Sequence, residues 1–317
     1  MTDIVRIGTL LRPVLELIRT GGRPLLPILV ALATLLAPKA HASAAEPKPG
    51  EAATAAPKAD AEETGWQSLF RAMAADYEIG TVEKAPRKFT LRAAPVLRWS
   101  QPVRGGDDGA VYVWLDQGRP AVIGSIFAWP LPDGVRVVAH EMHALTLAPM
   151  CAVYQGKQVW SVEEPALGMK RIPEAPAPAA SAPQRLAQIR TLGREFAATS
   201  IDRDNREWEL RLLGHPLYRY EVREHPELLD GAILAFVQGT DPEILLILEA
   251  RREGDQPYWQ YALARFSDLK LIVKRHDLEV WRVPNSTYDD RKAPYFVRNV
   301  DRRKLADAGD GQSKAKE

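Results

Sequence analysis

Two imidazoles and a carboxylate fall within four positions at His140-Glu141-Met142-His143. A carboxylate beside an imidazole can exchange protons with a substrate or hold a metal ion. The spacing is not H-E-x-x-H, which sets two histidines one turn apart on a helical face. The surrounding run, VRVVAHEMHALTL, reads as a strand. On a strand Glu141 and His143 share one face and His140 points to the other. Glu141 and His143 are therefore the candidate acid/base pair, or two ligands of a metal. The competing reading is the solvated polar face of an antiparallel strand.

Other residue types offer chemistry with less support. Asp202-Arg-Asp204-Asn205-Arg-Glu207 has the spacing of a calcium loop but lacks its glycine at position six and its glutamate at twelve, so it also reads as a turn before a strand. Ser267, Asp268, His276 and Asp277 hold the types of a nucleophilic triad, without a G-x-S-x-G elbow. Trp129, Tyr218, Trp259 and Tyr288 are candidates for stacking on a glycan. Trp99, Trp114, Trp160, Tyr220, Phe236 and Trp281 recur at matching places and are assigned to cores. No G-x-G-x-x-G or G-x-x-x-x-G-K-[ST] occurs, and no cofactor is expected. The single Cys151 precludes an internal disulfide and reads as a small buried hydrophobe, with a reactive thiol as the alternative.

The segments that must position these groups begin with an address. Residues 1–42 have a positively charged start, a thirteen-residue apolar run from Leu25 to Ala37, and an Ala40-His41-Ala42 site. That is the pattern of a secretory signal peptide, and the run is short of the roughly 20 residues a spanning helix needs. No stable transmembrane span is expected after cleavage, and the location is periplasmic or extracellular. Over the whole chain of 317 residues, 42 basic and 41 acidic side chains nearly balance. Cleavage leaves 37 basic against 39 acidic, which excludes a dedicated nucleic-acid binder. Residues 43–64 are an Ala/Pro/Lys/Glu spacer read as disordered, 166–183 a Pro/Ala linker, and 286–317 a charged C-terminal tail.

Two blocks of similar length remain, 65–165 and 184–285. Phe70, Met73 and Tyr77 match Ile189, Leu192 and Phe196 at the spacing of one helical face. Pro95, Arg98 and Trp99 match Pro216, Arg219 and Tyr220. Asp108-Gly109-Ala110 matches Asp230-Gly231-Ala232, and these read as hairpin turns. The expectation is an α+β fold made by tandem duplication, each repeat one helix followed by an antiparallel β-meander.

LRLLGHPLYRYE, DGAILAFVQGTDPEILLILEAR and WQYALARFSDLKLIV resemble segments of uncharacterised secreted bacterial proteins that carry signal peptides. Pro95, Arg98, Trp99 and Asp108-Gly109, with Pro216, Arg219, Tyr220 and Asp230-Gly231, are also similar to the P-x-L-x-R-aromatic strand and D-G turn of lipoprotein-carrier half-barrels of the cell envelope. That likeness implies an apolar cavity under a curved sheet. The functional expectation is a non-catalytic exported binding protein whose partner is an envelope protein, a glycan or a lipid or other apolar ligand. A metal-dependent or acid/base hydrolase using Glu141 and His143 is the alternative, and a structural envelope scaffold a third. An apolar hollow, a polar cleft holding Glu141 and His143, or filled cores without a cleft would separate them.

Overall fold

The computed structural model describes residues 65–101, 107–164, 167–220 and 225–304. The expected signal peptide, the spacer and residues 305–317 of the tail lie outside the described residues. The first half contains α1 (Gly65–Ala75), β1 (Tyr77–Thr81), β2 (Thr90–Leu91), β3 (Leu97–Gln101), β4 (Asp107–Asp116), β5 (Arg119–Pro130), β6 (Val135–Ala144), β7 (Met150–Tyr154), β8 (Lys157–Val162) and β9 (Lys170–Arg171). The second contains α2 (Ala182–Gly193), β10 (Phe196–Ile201), β11 (Glu207–Leu212), β12 (Tyr218–Tyr220), β13 (Leu228–Gln238), β14 (Asp241–Glu253), β15 (Gln256–Arg265), β16 (Lys270–Arg275), β17 (Leu278–Val283) and β18 (Tyr295–Lys304).

This overturns the expected α+β tandem repeat of helix plus meander. Strands make up 56% of the described residues and the two helices are short. Among the described residues every strand pairing is antiparallel, but the strands do not stay within two self-contained meanders. The first half divides between a three-stranded sheet, β1-β7-β8, and a sheet of order β18-β6-β5-β4-β2 with β3 also on β4. The second half forms a nine-stranded sheet, β17-β16-β10-β11-β13-β14-β15-β9, with β12 on β13. The halves exchange their last strands. β9 pairs with β15, and β18 pairs with β6 along its whole length, from Tyr295 opposite His143 to Lys304 opposite Val135. Residues 295–304 are therefore a strand and not part of a charged tail. Ladder partners for the open edge of β6 supply the reason, since backbone N–H and C=O groups near a core must be paired.

The two-residue period of the long strands sorts side chains into three layers. Ala110, Tyr112 and Trp114 of β4 face α1 and its buried Trp66, Phe70 and Met73. Val111 and Val113 point the other way, into a core shared with Ile233, Ala235 and Val237 of β13 and with Leu245 and Ile247 of β14. Leu234, Phe236, Ile244 and Leu246 then face Ile189 and Leu192 of α2. The central strands thus bury both faces, which explains their continuous apolar runs. The sheet faces are filled, so the apolar hollow expected from the carrier likeness is not formed by these three cores. Tyr77 and Phe196, expected on helix faces, open strands β1 and β10, because each helix ends two or three residues earlier.

The Asp-Gly pairs are not hairpin turns. Gly109 lies opposite Trp99 on β3, and Gly231 opposite Tyr220 on β12. A Cβ on Gly109 would sit 2.4 Å from Trp99 Cε2, and one on Gly231 2.2 Å from Tyr220 Cε2. Each aromatic ring occupies the space that a side chain would fill. The actual turns use Gln117-Gly118, Gly134, Gly239 and Gly254, where positive φ favours glycine. Two buried carboxylates tie layers together. Asp230 accepts from Arg185 of α2 and from Arg219, both at 2.9 Å. Glu249 of β14 accepts from Arg119 of β5, Tyr220 and Gln260, each at 2.9 Å.

Phe296 stacks on Trp160 with ring centroids 5.8 Å apart and is almost fully buried. Phe296→Ala should lower the free energy of unfolding by roughly 3–5 kcal/mol, read from urea midpoints. A solvated tail would give no change.

Candidate functional site

The odd-numbered residues of β5 and β6, and of β18 as far as Asn299, share one face; a register shift between Asn299 and Asp301 ends the match. Glu141 stands opposite Ser125 and Val297, and His143 opposite Ile123 and Tyr295. A cavity of about 210 Å³ opens between this face and the ends of β14 and β15. Phe127, Trp129 and Tyr295 give it aromatic wall, and Tyr288 adds another from the loop before β18. Five carboxyl groups line it: Asp107, Glu141, Asp241, Glu243 and Asp268. Among the described residues none that lines it is basic. The cavity brings together Glu141 with Trp129 and Tyr288, which sequence reasoning had put in separate proposals.

Glu141 is 7% exposed, so the solvated strand face is overturned. The Tyr295 hydroxyl donates to its Oε1. Burial pushes the Glu141 carboxyl well above the usual carboxylate range. The Tyr295 bond opposes this, whereas the charges of Glu243 and Asp268 add to it. The carboxyl therefore holds its proton to higher pH than an exposed glutamate does. Glu243 is 1% exposed on the opposing strand β14, so two buried carboxyls face one cavity from two sheets.

His143 does not complete an acid/base pair in that cavity. Its Nδ1–H donates to Ala144 O at 2.8 Å, and the ring lines a different cavity that shares Tyr295 as a wall. Burial pushes His143 down to about 4, the backbone bond pulling the other way. His140 points to the opposite face, as the strand period requires. It is buried under α1, with Nδ1 2.7 Å from the Tyr77 hydroxyl and Nε2 3.5 Å from Met73 Sδ. Burial lowers it to about 3, and the positive charge of Arg298 adds to that. It is a neutral core histidine with both nitrogens engaged.

The remaining candidates sit elsewhere. Trp259 is 1% exposed in the α2 core, and Tyr218 stacks on Tyr220 with centroids 6.2 Å apart. Asp202 uses both carboxylate oxygens inside its own loop. Oδ1 accepts from Asp204 N and Arg206 N, both at 2.9 Å, and Oδ2 from Trp208 Nε1 at 3.1 Å. The segment is the turn from β10 to β11. Ser267 and Asp268 line the acidic cavity, but His276 and Asp277 form a positive-φ turn where His276 Nε2 lies 3.3 Å from Glu195, so no triad assembles. Cys151 is half-buried on β7, opposite Gly80 and Ser161. Among the described residues no group of three or more His, Cys, Asp or Glu side chains is placed to hold a metal, and no helix is long and apolar enough to cross a membrane.

Sequence reasoning missed Glu243, Asp241 and Tyr295. A carboxylate inside the apolar run of DPEILLILEA was the one available signal for Glu243. Tyr295 lies in the segment 286–317, whose charged composition reads as a tail. Compared with protein-family models, curated proteins and solved structures, the chain matches none.

The buried groups set opposite pH limits. The raised Glu141 pKa means the folded state binds more protons above the usual value of 4.5, so this group costs stability as pH rises from there. The lowered His140 and His143 values mean the unfolded state binds more protons below 6.5, so stability falls as pH drops from 6.5 toward 4. Glu141→Gln should match the parent at pH 4 and exceed it in urea midpoint at pH 8. His143→Gln should flatten the fall between pH 6.5 and 4.

Proposed function

We propose that the protein is an exported binding protein and that its ligand, a glycan, enters the acidic cavity between β6, β14 and β18. The observation behind this reading is the cavity's composition: carboxyl groups beside Trp129, Tyr288 and Phe127, with no basic residue lining it among the described residues. Carboxylate oxygens accept from pairs of sugar hydroxyls, and aromatic faces stack on the apolar face of a sugar ring. At about 210 Å³ the cavity is smaller than the roughly 300–1,000 Å³ of drug-sized sites. It suits one sugar unit or a chain end and not a long polymer. Export rests on the sequence pattern of residues 1–42. A lipid ligand has less support, because the apolar faces of the sheets are occupied by side chains.

A second reading has its own observation. A buried Glu141 that keeps its proton, facing Glu243 across the cavity, has the elements of a general acid and a second carboxyl as in glycoside hydrolysis. This replaces the Glu141/His143 pair as the form a hydrolase would take.

Thermal unfolding of the chain from Ser43 with a panel of envelope oligosaccharides separates these readings. A glycan at 100 times its Kd adds about 2.7 kcal/mol to stability. The binding reading expects a shift with at least one sugar, lost in Trp129→Ala, and no released product. Product formation that disappears in Glu141→Gln would establish the hydrolase instead. No shift with any sugar would overturn both.

A further inference from the structure

Tyr295 also lines a second cavity, of about 260 Å³, which the acidic site does not use. Leu263, Trp281, Val283 and Pro294 supply the apolar part of its wall. Besides Tyr295, three polar side chains line it: His143, Arg265 and Ser286, whose hydroxyl donates to Thr287 O at 3.3 Å. His143 is 5% exposed, and its Nδ1–H is committed to Ala144 O. The neutral ring therefore presents Nε2 as a bare acceptor, with no hydrogen-bond partner among the described residues. Arg265 is held in place by Nε to Ser267 O at 2.9 Å and Nη2 to Leu269 O at 2.7 Å, and lies 5.0 Å from the centre of the Tyr295 ring. Among the described residues no carboxylate forms an ion pair with it, although the charges of Asp268 and Glu141 are felt there.

A fixed guanidinium, an acceptor nitrogen and an apolar slot define complementary chemistry. The guanidinium takes a carboxylate, the nitrogen takes a hydroxyl donor, and the slot with Trp281 takes a flat apolar body. We propose that this cavity binds a small aromatic carboxylic acid bearing a hydroxyl group, its carboxylate on Arg265 and its hydroxyl donating to His143 Nε2. The polarity is opposite to that of the acidic cavity, so the two sites select different ligands across one shared tyrosine.

The probes are 3- and 4-hydroxybenzoate, with benzoate and 3-hydroxybenzylamine as controls. Binding is followed by calorimetry and by the ¹⁵N signals of the His143 ring. At least one hydroxybenzoate should bind and shift His143 Nε2. Benzoate, lacking the donor, should bind about tenfold more weakly, and the amine should not bind. His143→Phe should bring the hydroxybenzoate down to the level of benzoate. Ser286→Phe, or Val283→Trp if the first does not fold, should fill the slot and abolish binding. The proposal is overturned if neither hydroxybenzoate shifts the His143 signals at millimolar concentration, if the amine binds equally well, or if binding survives a folded filling variant. Glycan binding in the acidic cavity is read separately through Trp129→Ala, so failure of one site is distinguishable from failure of the other.

Discussion

The edge of β6 is closed by the last strand of the described chain, and the rest of the site depends on that closure. Without β18, the backbone groups of residues 135–143 would lose ladder partners next to a core, which a folded protein does not tolerate. The pairing also sets register. A slip of one residue would turn Tyr295 and Val297 into the α1 side and Phe296 into the cavity. The observed register puts Phe296 on Trp160 and Tyr295 between the two cavities. One set of ladder bonds thus shapes both the first core and both candidate sites.

The buried charges fall into two kinds. Asp230 and Glu249 are surrounded by guanidinium and hydroxyl donors and tie a helix to a sheet and one sheet to another. Losing one partner of such a group leaves a desolvated charge, which typically costs about 3–5 kcal/mol. Glu141 has no such pairing. Its one hydrogen-bond partner shown here is a tyrosine, and acidic neighbours raise rather than lower its proton affinity. The first kind explains stability. The second has no structural gain of comparable size, which is the pattern expected where burial serves a site.

The strand period was legible from residue order alone, and it correctly separated Glu141 and His143 from His140. The turns at Gln117-Gly118, Gly239 and Gly254 follow a local rule as well, because they occupy a backbone region that most side chains resist and glycine does not. The Asp-Gly pairs misled because the same residue type answers a different need. Gly109 and Gly231 are glycines for the room a facing ring requires, a fact held by Trp99 and Tyr220 on neighbouring strands.

What residue order determined by itself was therefore local: which stretches extend, where they turn and which side chains alternate. Tertiary structure decided which strand lies beside which, and with it the mostly β sharing of sheets in place of two separate helix-plus-meander repeats. It also decided burial, turning Glu141 and His143 from a polar surface into interior groups with displaced proton affinities. The physical reason is range. Alternation follows from the pleat of consecutive peptides, whereas the Tyr295–Glu141 contact joins residues 154 positions apart and exists only after the sheet edge is closed.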